Sequence, residues 1–148
     1  MENTDATRSA EDFLDAFNAG DWSRFRARIA PDVTYEETGT GRSIAGADAY
    51  VTLCQGWKEA LPDAAGRLRR TVTSGDIVVQ EVTWEGTQTG PLPTPEGTLP
   101  PSGKRIAVEA TLWMTLRDGR ATAVHHHLDL FTMLQQLGAI PIPAAAAK

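Results

Sequence analysis

The chain has one cysteine, Cys54, in 148 residues. No disulfide can form within it, and a reducing, cytoplasmic setting is the expectation. Excess positive charge is missing as well. Lys plus Arg number 14 against 19 Asp plus Glu, a formal net charge of −5, which argues against nucleic acid, whose binding rests on phosphate neutralisation. No apolar run approaches the roughly 20 residues that a membrane span needs, so no membrane partner is expected. The opening stretch, MENTDATRSAEDF, is polar and acidic and does not read as a signal peptide. What is present, 41% hydrophobic and 22% charged residues, is the composition of one soluble globular domain. That domain is expected to span residues 1–148, with mobile ends at about 1–7 and 139–148.

Helical spacing dominates the first part of the chain. Ser9 and Asp12 resemble a capping box, and Ala10, Phe13, Leu14 and Phe17 follow at helical intervals. Gly20 ends this helix and Asp21 can cap a second, with Trp22, Phe25 and Ile29 on one side, stopping at Pro31. Val33 to Glu37 reads as a short strand. A third helix opens at Gly46, carries Tyr50, Val51, Leu53, Cys54, Trp57 and Leu61, and closes at Leu61-Pro62-Asp63. Beyond it the pattern becomes β. Arg67–Ser74 and Ile77–Thr87 flank the turn SGD, and Lys104–Arg117 and Arg120–Asp129 flank the type I′ signal Asp118-Gly119. Phe131 to Leu137 reads as one or two helical turns. Helices grouped before strands imply an α+β fold, with helices covering one face of a curved sheet around a pocket. Between two strands that should be neighbours lies Thr89–Gly103, with five prolines and three glycines. It is too long for an ordinary hairpin loop, and reads either as a stiff surface loop or as a fairly rigid pocket rim.

All three histidines stand together, in VHHHLDLF at 124–131. If Asp118-Gly119 are the turn residues, Arg117 pairs with Arg120. Leu112 then lies opposite His125, Ala110 opposite His127 and Val108 opposite Asp129. One face of this hairpin carries Phe131, Val108, Ala110, Leu112, Met114, Leu116, Ala121, Ala123, His125, His127 and Asp129. It is apolar apart from the last three, with alanines leaving room beside them, which is the pattern of a pocket. The other face carries Trp113, Val124, His126 and Leu128 and is expected to hold a second copy of the chain, giving a homodimer. Three consecutive strand residues cannot converge on one metal ion. His125, His127 and Asp129 at alternate positions span about 13 Å, too far for bonds of about 2 Å. No metal is therefore expected. A purely structural reading also stands, with hydrogen-bonded core histidines and Asp129 capping the last helix.

The segments Pro62-Asp63, SGD at 74–76, GTQTG at 86–90, PPSGK at 100–104, RDGR at 117–120 and LDLFTMLQQLG at 128–138 together resemble the SnoaL-like polyketide cyclases, including actinobacterial sequences called ester cyclases. The resemblance spans roughly residues 8–138. It implies an NTF2-like cone, in which N-terminal helices pack on a strongly curved antiparallel or mixed sheet enclosing a pocket. It also implies cofactor-free intramolecular aldol cyclisation, with an acid/base aspartate seven residues before the glutamine of QLG. Here that residue is Asp129, with Gln136 following. Gln88 stands where the family commonly has histidine, and glutamine cannot transfer protons at neutral pH.

The leading expectation is an enzyme of secondary metabolism, a cyclase or isomerase, acting on a small, mostly apolar, polyketide-like substrate without cofactor. Asp129 is the expected acid/base, with His127 as partner and Gln88 or His125 stabilising a developing enolate. Tyr35, Trp57, Phe17, Leu112 and Met114 line the substrate's space. Hydrolysis of an epoxide or lactone in the same pocket, or a non-catalytic small-molecule-binding dimer, are the alternatives.

Overall fold

The computed structural model describes residues 3–141. Four helices, α1 (Asn3–Ala19), α2 (Trp22–Ala27), α3 (Ala47–Ala60) and α4 (Leu130–Gln136), accompany eight strands. The strands are β1 (Ile29–Thr38), β2 (Arg42–Ala45), β3 (Ala65–Ser74), β4 (Ile77–Thr87), β5 (Leu92–Thr94), β6 (Gly97–Leu99), β7 (Arg105–Arg117) and β8 (Arg120–Leu128). Six of them form one mixed sheet in the order β2-β1-β8-β7-β4-β3, and β5 and β6 form a separate hairpin. β1 runs parallel to β8, and the other neighbours are antiparallel. The α+β architecture with helices on one face of a mixed sheet is the one the sequence implies.

The first helix begins at Asn3, ahead of the Ser9 start read from the sequence, because Ala6 continues the apolar spacing and is fully buried with Ala10. The expected mobile ends lie largely outside the described residues or, for residues 3–7, inside this helix. Asp21 caps α2 as expected, its side chain accepting from the backbone N–H of Arg24. Ile29, grouped with the second helix in the sequence, starts β1 instead. One apolar cluster joins α1, α2 and α3 to the sheet through Phe13, Leu14, Phe25, Tyr50 and Val51. A second gathers Leu61, Leu92, Ile106, Val108, Leu128, Met133 and Leu137 under the β5–β6 hairpin and α4.

Thr89–Gly103 is an ordered segment held by its first residues. The backbone N–H groups of Thr89 and Gly90 both donate to the carbonyl of Ala60. A Cβ at Gly90 would collide with the backbone carbonyl of Glu59, and backbone cannot swing aside. We expect Gly90→Ala to destabilise the fold by about 1–3 kcal/mol. Urea denaturation measures this, and an unchanged midpoint would show that the approach is not tight.

The β7–β8 hairpin decides where the site lies. Asp118 and Gly119 both have positive φ, 52° and 77°, and Arg117 pairs with Arg120 as the turn signal implies. The register then slips. Leu116 pairs with Ala121 but Thr115 pairs with Ala123, so Thr122 is an extra residue, a β-bulge. A one-residue slip moves every later side chain to the opposite face. Leu112 therefore stands opposite His126, not His125, and Ala110 opposite Leu128, not His127. The inward row of β8 is Val124, His126 and Leu128, all buried. The sequence reading of this strand is reversed beyond Thr122, while its reading of β7 (Val108, Ala110, Leu112, Met114 and Leu116 inward) holds.

Candidate active site

Between the helices and the inner face of the sheet lies a cavity of about 70 Å³. Its wall is strongly apolar and aromatic. Phe13, Phe17, Tyr35, Tyr50, Trp57 and Trp84 contribute rings, Leu112, Leu128 and Met133 contribute aliphatic surface, and His126 contributes an imidazole. Ligand sites for drug-sized molecules are roughly 300–1,000 Å³, so in this conformation the cavity suits a molecule of a few heavy atoms. Anything larger requires the aromatic wall to move.

His126 is reached by alternation from the bulge, and β1 brings its partners. Val33, Tyr35 and Glu37 alternate inward along β1, and Glu37 pairs with His126 across the parallel ladder. The imidazole is bonded at both nitrogens. Trp84 Nε1 donates to His126 Nε2 at 3.0 Å. An indole N–H can only donate, so Nε2 accepts and the ring proton of the neutral imidazole sits on Nδ1. Nδ1 lies 2.8 Å from the Tyr35 hydroxyl, which accepts its proton and donates its own to Glu37 Oε2. The direction of the whole chain, from Trp84 through His126 and Tyr35 to Glu37, follows from the one group that has no choice of role.

Glu37 ends this chain as a carboxylate with no exposed side-chain surface. Its Oε1 accepts from Thr40 Oγ1 at 2.7 Å and from Arg42 Nη1 at 3.0 Å, and Oε2 is 3.6 Å from His126 Nδ1. Burial alone would raise its pKa. The His126 imidazole nearby and hydrogen bonds from Tyr35 and Thr40 outweigh that and bring it down to about 2. Burial, and then the charge of Glu37, push the Tyr35 hydroxyl far above the ordinary phenol range, so Tyr35 stays protonated and relays rather than ionises. Burial likewise raises Cys54 in the cavity wall, which keeps it a thiol.

The residues expected from the sequence divide. Phe17, Tyr35, Trp57 and Leu112 line the cavity. Met114 is buried in the adjoining core. His125 and His127 lie on the outer face of the sheet beside Trp113, their rings stacked at 4.2 Å between centroids. Gln88 is fully buried, but its amide N–H₂ donates to the carbonyls of Gly90, Leu99 and Pro100, so it fastens the proline-rich segment. Asp129 caps α4. Its Oδ1 accepts from the Thr132 backbone N–H at 3.1 Å and its Oδ2 from the Thr132 hydroxyl at 2.7 Å, in an exposed position. His126 and Leu128, expected on the dimer face, are buried against the cavity, while Trp113 is 50% exposed. Glu37 and Trp84 escaped sequence reasoning. The alternation of Val33, Tyr35 and Glu37 placed a carboxylate on an apolar strand face and was the signal available for one of them.

Among the described residues no three or more His, Cys, Asp or Glu side chains gather as a metal site, and no helix is long and apolar enough to cross a membrane.

The fold is shared with known structures. TsrD from Streptomyces laurentii superposes with a TM-score of 0.81 at 24% identity, over 95% of this chain and 99% of that one. IdmH from Streptomyces antibioticus, a candidate polyketide cyclase, gives 0.77 at 26% identity over 90% and 98%. A LEH-like epoxide hydrolase from M. tuberculosis gives 0.73 at 22% identity over 94% and 93%. No curated protein matches the chain. The SnoaL-like polyketide cyclase family matches residues 7–137, nearly the whole described chain and close to the span, roughly residues 8–138, of the resemblance read from the sequence. The chain belongs to the SnoaL-like polyketide cyclase family.

Proposed function

We propose that this chain is a cofactor-independent acid–base enzyme, a cyclase or isomerase acting on a small, mostly apolar, polyketide-like carbonyl compound. Its proton-handling group is His126, where the sequence pointed to Asp129. The observation that carries this is the imidazole in the wall of an otherwise apolar cavity, backed through Tyr35 by the ionised Glu37. An acidic hydrogen of the substrate would replace the Trp84 N–H at His126 Nε2. When Nε2 takes that proton, the ring becomes an imidazolium whose Nδ1–H is directed at Tyr35, with the Glu37 carboxylate 3.6 Å from the same nitrogen. The displaced Trp84 N–H becomes a donor for the enolate oxygen that forms. The proton then returns from Nε2 to the carbon or oxygen that closes the reaction, so the enzyme ends as it began. Tyr35 and Glu37 orient and stabilise the ring, Tyr35 from the cavity wall and Glu37 from behind it.

Hydrolysis of an epoxide or lactone is the second reading. A cavity of about 70 Å³ has room for water, and Nε2 could take a proton from it. Exchange of α-hydrogens for deuterium in small β-diketones separates the readings. Enolisation speeds exchange above its spontaneous rate in buffer without net reaction, whereas a hydrolase or a passive binder leaves that rate unchanged.

The outer sheet face supports the expected homodimer through Trp113, though not through His126 or Leu128. Trp113→Lys should raise the monomer fraction in sedimentation at micromolar concentration, and an unchanged distribution places any interface elsewhere. A cytoplasmic setting is consistent with the buried, single cysteine.

A further inference from the structure

The bulge at Thr122 has a second effect, on the side of the sheet away from the cavity. His125 and His127 are two residues apart on β8 and therefore share its outer face. Alternate Cα atoms on a strand lie roughly 6.6–6.8 Å apart, yet the two rings converge to a centroid distance of 4.2 Å with 22° between their planes. Two imidazole nitrogens held by one ion at about 2.0–2.1 Å each stand roughly 3 Å apart. Bringing one nitrogen of each ring onto a common ion takes the rings out of this stack, and the partly exposed positions of both side chains leave them free to rotate. Two ligands at alternate positions span half the length that three would need on this strand.

The surroundings fit the same reading. Thr38 Oγ1 lies 2.9 Å from His125 Nε2, which shows that this nitrogen points across the surface toward β1. Glu36, exposed on the same face of β1, stands in register with His125 and adds negative potential there. His126 faces the cavity and takes no part.

We propose that His125 and His127 form a two-nitrogen binding site for a divalent late first-row transition ion on the outer sheet face, with water in the remaining positions. Imidazole pairs select copper, nickel and zinc over hard, oxygen-seeking ions, and affinity should follow the order Cu²⁺ above Ni²⁺ and Zn²⁺.

The test is calorimetric titration of the tag-free full chain with Cu²⁺, Ni²⁺, Zn²⁺ and Mg²⁺, with copper EPR on the complex. One ion per chain is expected, with two-nitrogen coupling for Cu²⁺ and no heat for Mg²⁺. His125→Ala and His127→Ala should each weaken binding at least about tenfold, and the double variant should abolish it. Both side chains lie outside the core, and unchanged thermal melts will show that the variants fold. Absence of binding at millimolar Ni²⁺ or Cu²⁺, or affinity unaltered in the double variant, overturns the proposal.

Discussion

Replacing His126 with Gln should lower catalysed α-hydrogen exchange by about 10²–10⁴-fold, the usual contribution of a general acid–base group. Glutamine approximates the size and polarity of the imidazole and can meet either Trp84 or Tyr35, but it cannot take a proton at neutral pH. The variant loses part of a buried network, so some destabilisation, about 1–3 kcal/mol, accompanies the loss of rate. Rate measured well below the unfolding transition separates the two effects. Glu37 acts through the ring and does not line the cavity, so its substitution should reduce turnover and leave substrate affinity less changed. Retention of near-wild-type exchange by a folded His126→Gln chain would remove the imidazole from the chemistry.

The largest effect on stability is expected at Glu37. Its carboxylate is fully buried and bonded by Tyr35, Thr40 and Arg42. Glu37→Gln removes the charge that Arg42 neutralises, and breaking a buried pair from one side costs roughly 3–5 kcal/mol. The pH dependence has a definite sign. The folded pKa, about 2, is depressed below the ordinary 4.5, so the stabilisation is present in full above the unfolded value. It is lost as pH falls from about 5 toward 2. The difference corresponds to about 3 kcal/mol. Urea midpoints should therefore fall more steeply between pH 6 and pH 3 in the wild type than in Glu37→Gln. Parallel acid profiles would show that Glu37 is not held ionised by this network.

Most of the fold was legible because its signals are local. Helical spacing gave α1 and α3, alternation gave β7, and Asp118-Gly119 gave the turn with the positive φ values it needs. The motifs that carry the family resemblance prove largely to be fasteners. Asp63 accepts the backbone N–H of Thr87, Gln88 holds the proline-rich segment, and Gln136 bonds both the N–H and C=O of Ala107 to dock α4. Such residues mark the fold strongly and the reaction weakly, since one fold hosts many chemistries. The inward and outward faces of β8 were exchanged for a single reason. A bulge has no sequence signature as clear as a turn, and Thr122 reversed the face of every residue after it. His126 thus passed for a surface residue, and His125 and His127 for pocket residues. Glu37 stood on the apolar face that alternation along β1 marks, with Tyr35, Thr40 and Arg42 close in sequence, but its link to His126 on β8 is a contact no local pattern reveals.

The position that family resemblance assigns to acid–base catalysis, Asp129, is here a helix cap outside the cavity. The most direct test of the account is turnover of Asp129→Asn beside His126→Gln in the same exchange assay. Asparagine caps a helix about as well as aspartate, so Asp129→Asn should fold normally and keep more than roughly a third of wild-type rate, while His126→Gln loses at least the 10²-fold expected of a missing acid–base group. A folded Asp129→Asn chain that falls by about 10²-fold or more, with His126→Gln still active, would contradict the account and return the proton transfer to Asp129.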